Sequence, residues 1–197
     1  MSRVVIVEYM SLDGVIQAPG HADEDPVGFD HGGWTRPFFP EHRRYMADVF
    51  RRAGGVLLGR RTYEIFAAYW PTVTAPDDEI AGALNALPKY VASTTLCEAR
   101  WAGTTVLGGD VADEIARLRA RPGRDLVVVG SSGLAQTLLH HHLVDEYQLW
   151  VHPVVLGGGK RLFREGARPM SLRLVDTTVT GGGLVILTYA PAEGTHA

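Results

Sequence analysis

The sequence predicts an α/β protein organised around a mixed, mostly parallel sheet, and three observations carry that prediction. Short runs rich in β-branched residues alternate with segments whose apolar residues recur every three or four positions, the patterns of strand and helix. Two strand-like runs, "GVLLG" and "LVVVG", lead through glycine straight into helix-like segments, as βα units do. The chain then closes with "SLRLVDTTVTGGGLVILTYA", two strand-like runs joined around Gly181 to Gly183, which reads as a β-hairpin. A sheet that begins with βα units and ends in a hairpin is expected to be mostly parallel with antiparallel edges.

In order, "RVVIVEY" (3–9) is the first strand and stops at "SLDG". A polar, Gly- and Pro-rich stretch follows from Gln17 to Pro40, carrying Trp34, Phe38 and Phe39; a connection this long in a compact domain suggests a lid or pocket wall. "PEHRRYMADVFRRAGG" (40–55) is a helix with Tyr45, Met46, Val49, Phe50 and Ala53 on one face and Gly54-Gly55 as its stop. "GVLLG" (55–59) is a buried strand, "RRTYEIFAAYW" a helix closed by Pro71, and "DDEIAGALNAL" a short helix. "KYVAST" and "TTVLG" are strands, and "DVADEIARLRAR" is a helix capped by Asp110. "LVVV" and "SGLAQTLL" repeat the βα unit, and "VDEYQLWVHPVVLG" is one long strand that must be buried or paired across a homodimer. The total is about eight strands flanked by helices.

A chain of 197 residues, 46% hydrophobic and 21% charged, fits a single domain spanning residues 1–197. The formal charge of −3 gives no surplus of cations for a nucleic-acid partner. Only four apolar residues, Val4 to Val7, precede Glu8, too few for a secretion signal or a membrane span, so a cytoplasmic location is expected. Cys97 is the only cysteine, which excludes an internal disulfide and a Cys-rich metal site. His140, His141 and His142 are adjacent and point in different directions, so no metal site is expected from them either.

Three segments could bind anions. In "VVVGSSGLAQTLL", Gly130 and Gly133 permit close backbone approach at a helix start, where free N–H groups and the helix dipole favour phosphate. Its spacing matches neither the dinucleotide nor the P-loop fingerprint, so a plain structural turn with serine as N-cap stays open. "VLLGRRTYE" places Arg60, Arg61 and Thr62 in a first helical turn, where cations oppose the dipole unless an anion is present. "ASTTL" (92–96) offers hydroxyl groups after a strand. Together they point to one ligand with several phosphates.

The ordered set "SLDG", "GRRTYE", "ASTTL", "VVGSSGLAQTLL" and "LVDEYQLWVHPVVLGGGKRLF" resembles the dihydrofolate reductase-like superfamily. The nearer likeness is to the C-terminal reductase domain of the riboflavin-biosynthesis deaminase-reductase (RibD), from Val4 to about Tyr189. The resemblance implies NADPH as cofactor. It implies that Gly59, Arg60 and Thr62 hold the 2'-phosphate and pyrophosphate, with Ser93 and Thr94 beside the adenosine 2'-phosphate. Gly130, Ser131, Ser132, Gly133 and Leu134 would cover the pyrophosphate, and Asp13, Gly14 and Ile16 would lie near the nicotinamide. Asp13 is then the candidate proton donor, and Trp34, Phe38 and Tyr45 are candidates for the substrate pocket.

Departures limit the substrate. Where folate-reducing members carry an acid before the "GRxT" segment, this chain has Arg43, with Glu41 the nearest carboxylate. Where riboflavin-pathway members carry two lysines and a glutamate, it has Val7, Val15 and Gly130. The expected activity is NADPH-dependent hydride transfer to a carbonyl or imine of a small molecule. The alternatives are a riboflavin-pathway 5-amino-6-(ribosylamino)uracil-type reductase and a non-catalytic nucleotide-binding module.

Overall fold

The structure is a computed structural model that describes residues 1–192, so the last five residues of the expected domain lie outside the described residues. Eight strands form one sheet in the order β4-β3-β2-β5-β1-β6-β8-β7. They are β1 (Val4–Ser11), β2 (Ala53–Gly59), β3 (Lys89–Ala92), β4 (Thr104–Leu107), β5 (Asp125–Val129), β6 (Glu146–His152), β7 (Leu172–Val179) and β8 (Val185–Pro191). The first six pair in parallel; β8 runs against them, and β7 pairs antiparallel with β8. The antiparallel part thus occupies one edge, not both: β4 arrives by a crossover and pairs parallel to β3.

Among the described residues the α-helices are α1 (Phe39–Arg52), α2 (Arg60–Tyr69), α3 (Glu79–Ala86), α4 (Val111–Ala120) and α5 (Ser132–His140), one for each segment read as a helix. They cover both faces of the sheet. Alternation along β1 sends Val4 and Ile6 to the side of α4 and α5, and Val5 and Val7 to the side of α1, α2 and α3. Central strands buried on both faces read as continuous apolar runs, and Val56, Leu57 and Leu58 of β2 are all fully buried. Asp78 caps α3 by accepting from Ile80 N and Ala81 N, and Asp110 caps α4 through Asp113 N.

Two expectations need correction. Gly54 and Gly55 do not stop α1; the helix ends at Arg52 and both glycines already belong to β2. A Cβ on Gly54 would meet Arg124 Cβ and its carbonyl oxygen at 3.0 Å, so glycine there allows β2 to press against the start of β5. The long strand ends at His152, because Pro153 offers no N–H to the ladder. That strand lies inside the sheet between β1 and β8, the buried one of the two expected placements. Among the described residues no helix is long and apolar enough to cross a membrane.

The long connection before α1 is packed against the body. Val15, Ala18, Phe29 and Trp34 form a small buried cluster, and the Trp34 indole Nε1 donates to Gln17 O at 2.9 Å. Leu57 anchors the larger core: truncation to Leu57→Ala should cost about 2–5 kcal/mol of unfolding free energy in denaturant titration. A loss under about 1 kcal/mol would contradict the packing described for β2.

Candidate functional site

Parallel pairing aligns the strand ends. Gly59 pairs with Ala92, Leu57 with Val128, and Val7 with Val129, so the turns after β2, β3 and β5 leave the sheet at one level. They surround a cavity of about 780 Å³. Ile16, Gly59, Arg60, Thr62, Ser93 and Thr94 line it, as do all five residues from Gly130 to Leu134.

Two helices open onto the cavity with no side-chain cap. Gly59 precedes α2 and cannot cap, while Ser131 precedes α5 without capping it. The Ser131 hydroxyl is used elsewhere: it accepts from Gly59 N at 2.8 Å and donates to Thr62 Oγ1 at 2.7 Å. This corrects the reading of serine as a capping residue and ties the two glycine turns together. Reaching across requires Gly130 and Ser131 at φ 61° and 68°, a left-handed pair in which the serine is strained. At Gly133 an added Cβ would meet nothing within 4 Å, so this position of the α5 N-terminus stays open.

The arginines of α2 have partners. Arg60 donates to Glu64 Oε1 at 2.7 Å and to Thr95 Oγ1 at 2.5 Å, which bridges the turns after β2 and β3. Arg61 pairs with Asp25 at 3.0 Å, and Lys160 pairs with the same carboxylate from the far wall. Asp25 therefore ties the long connection to α2 and to the segment after β6. The Ser93 hydroxyl accepts from Thr95 N and Leu96 N and holds that turn in shape.

The other candidates lie elsewhere. Asp13 is not in the cavity wall; its carboxylate accepts from the Ser11 hydroxyl at 2.7 Å, Leu156 N at 3.1 Å and Gly157 N at 2.8 Å. The Ser11 hydrogen bond, and then those backbone N–H groups, hold its pKa down at about 2. An ionised, fully engaged carboxylate is a buckle between two loops, and Asp13 is withdrawn as the proton donor. Gly14 belongs to the same turn and does not line the cavity.

Trp34, Phe38 and Tyr45 do not line it either. The first two pack edge-on against His152 at 5.2 and 5.1 Å, and Tyr45 packs against Trp150. Trp34 and Phe38 thereby flank a buried pair in which His42 Nε2 and His152 Nε2 stand 2.7 Å apart. Burial, and then the neighbouring His152, lowers the His42 pKa to about 3, and burial lowers that of His152. Both rings are neutral at pH 7. His152 Nδ1 lies 3.2 Å from Met10 O and donates to it, so its Nε2 accepts from His42.

Sequence reasoning missed Glu8, Glu24, Asp25 and Arg164, which all line the cavity. Only the position of Glu8 had a local signal: an acid in an apolar strand, on the face that also carries Val4 and Ile6. The cations Arg60, Arg61, Lys160 and Arg164, with two uncapped helix N-termini, make a donor set suited to a ligand with several phosphates.

Comparison with known proteins agrees with the fold. Solved structures similar in fold include a putative riboflavin biosynthesis protein from Shewanella sp. PV-4, with TM-score 0.68, 22% identity, and 98% of this chain and 100% of that one covered. The dihydrofolate reductase of Enterococcus faecalis, complexed with NADP(H) and RAB-propyl, has TM-score 0.57, 16% identity and 97% coverage of both chains. The fold is therefore dihydrofolate reductase-like. The uncharacterized protein YyaP of Bacillus subtilis (strain 168) is 31% identical over 190 residues, 95% of this chain and 94% of that protein. YwjB of the same organism, also uncharacterized, is 27% identical over 179 residues, 91% of this chain and 92% of that protein. The RibD C-terminal domain model matches residues 3–186, and this chain belongs to that family.

Proposed function

We propose that the chain is a cytoplasmic NADPH-dependent reductase that transfers a hydride to a carbonyl or imine carbon of a small molecule. The observation that carries this reading is one cavity holding two uncapped helix N-termini and four cationic side chains. A dinucleotide with a 2'-phosphate has the negative charge to use them. NADP(H) in the Enterococcus faecalis dihydrofolate reductase complex supports the same choice of cofactor.

Bound there, the cofactor supplies the hydride. The chain supplies position and a dry site. Gly59, Arg60 and Thr62 would hold phosphate at the start of α2, with Ser93 and Thr94 beside it, while residues 130–134 would hold the pyrophosphate at the start of α5. Ser131 keeps these two helix ends at a fixed separation, so the phosphates meet donors that need no rearrangement.

Calorimetric titration should give tighter binding for NADPH than for NADH. Arg60→Ala should weaken NADPH about tenfold, the value of one partly exposed charge-assisted hydrogen bond, and leave NADH nearly unchanged. Equal losses for both cofactors would contradict the assignment of Arg60 to the 2'-phosphate.

Gly133→Ala separates ligand room from folding. Alanine is the better helix former by up to about 1 kcal/mol, so the variant should melt no lower than the natural chain. Its NADPH affinity should fall, because the methyl group enters space that the phosphates would use. Unchanged affinity would move the pyrophosphate away from the α5 N-terminus.

A further inference from the structure

The cavity contains three carboxylic acids, and two already have partners. Asp25 is paired with Arg61 and Lys160, and Glu24 Oε2 accepts from Gly20 N at 2.9 Å. Glu8 is different. It stands on β1 at 2% exposure, and its Oε1 is buried with no hydrogen-bond partner. The apolar residues Ile16 and Leu134 share both its core face and the cavity wall.

An ionised carboxylate cannot remain in such a place without a cation or a set of donors. We propose that the Glu8 carboxyl group is the proton donor of this site, handing its proton to the oxygen or nitrogen of the acceptor whose carbon takes the hydride. This rests on the reductase reading above.

In the step, the O–H bond of Glu8 breaks and a new bond to hydrogen forms at the acceptor heteroatom, which takes the π electron pair of the C=O or C=N bond. The carbon gains hydride from the reduced nicotinamide dinucleotide, which is oxidised. Glu8 is left as carboxylate and regains a proton from water.

The pKa agrees with that geometry. Burial alone pushes Glu8 up to about 8, and no charge elsewhere on the wall contributes to the shift. The groups on that wall are Tyr9 beside it on β1, Glu24 and Asp25 from the long connection, Arg60 and Arg61 from α2, and Lys160 and Arg164 beyond β6. The acid form therefore predominates at pH 7, which makes Glu8 a donor where Asp13 cannot be one.

The test uses the full chain labelled with carbon-13 at glutamate carboxyls, titrated by NMR with and without saturating NADP+. Glu8→Gln assigns the resonance. One carboxyl should titrate near pH 8, vanish in the variant, and shift when NADP+ fills the cavity. NADP+ binding with a Glu8 resonance that titrates below pH 5 or does not move overturns the proposal and leaves the reductase reading standing. No NADP+ or NADPH binding overturns that reading, and the proposal with it.

A panel of aldehydes, cyclic ketones and cyclic imines supplies the kinetic arm. For any acceptor reduced, the rate should hold below pH 8 and fall above it. Glu8→Gln should lower kcat by at least about 100-fold, at the low end for a lost general acid, with NADPH affinity within about twofold. A variant that keeps its rate and its pH profile overturns the proposal.

Discussion

The structure depends on one constraint: six neighbouring strands run parallel, so their C-terminal ends lie on one edge of the sheet. Each βα turn must leave from that edge, and each following helix begins there with its free N–H groups and its positive dipole end. Nothing further is needed to gather Gly59, Ser93 and Gly130 around one cavity. Ligand sites of open parallel sheets lie outside the carboxyl ends of the strands for the same reason.

Ser131 turns that gathering into a defined geometry. Its hydroxyl links the backbone at Gly59 to the side chain of Thr62, 72 and 69 residues away in sequence, and it gives up its own helix cap to do so. The strain of a left-handed serine is offset by those two hydrogen bonds. Glu8 is a second local cost. Its acid form is favoured in the folded state and its ionised form in the unfolded chain, so its contribution to stability declines as pH rises from about 4.5 to about 8.

Much of this was legible in the sequence because βα turns are local. The strand, glycine and helix start of "VLLGRRTYE" and "VVVGSSGLAQTLL" lie within a few residues, and the anion-binding chemistry follows from that pattern. Features set by distant contacts were not legible. Asp13 gains its role from Leu156 and Gly157, and Trp34, Phe38 and Tyr45 find their packing partners at His152 and Trp150. Gly54 and Gly55 read as a helix stop because the approach of Arg124 cannot be inferred from their neighbours. Glu8 merely interrupted an apolar run; its meaning required knowing that both faces of β1 are covered.

The central claim is that the turns after β2, β3 and β5 form one dinucleotide site. Hydrogen–deuterium exchange with and without saturating NADPH tests it most directly. The account predicts that amides at 59–62, 93–95 and 130–134 become protected together, with little change in β7 and β8. Protection confined to one turn, or centred elsewhere on the molecule, would contradict it.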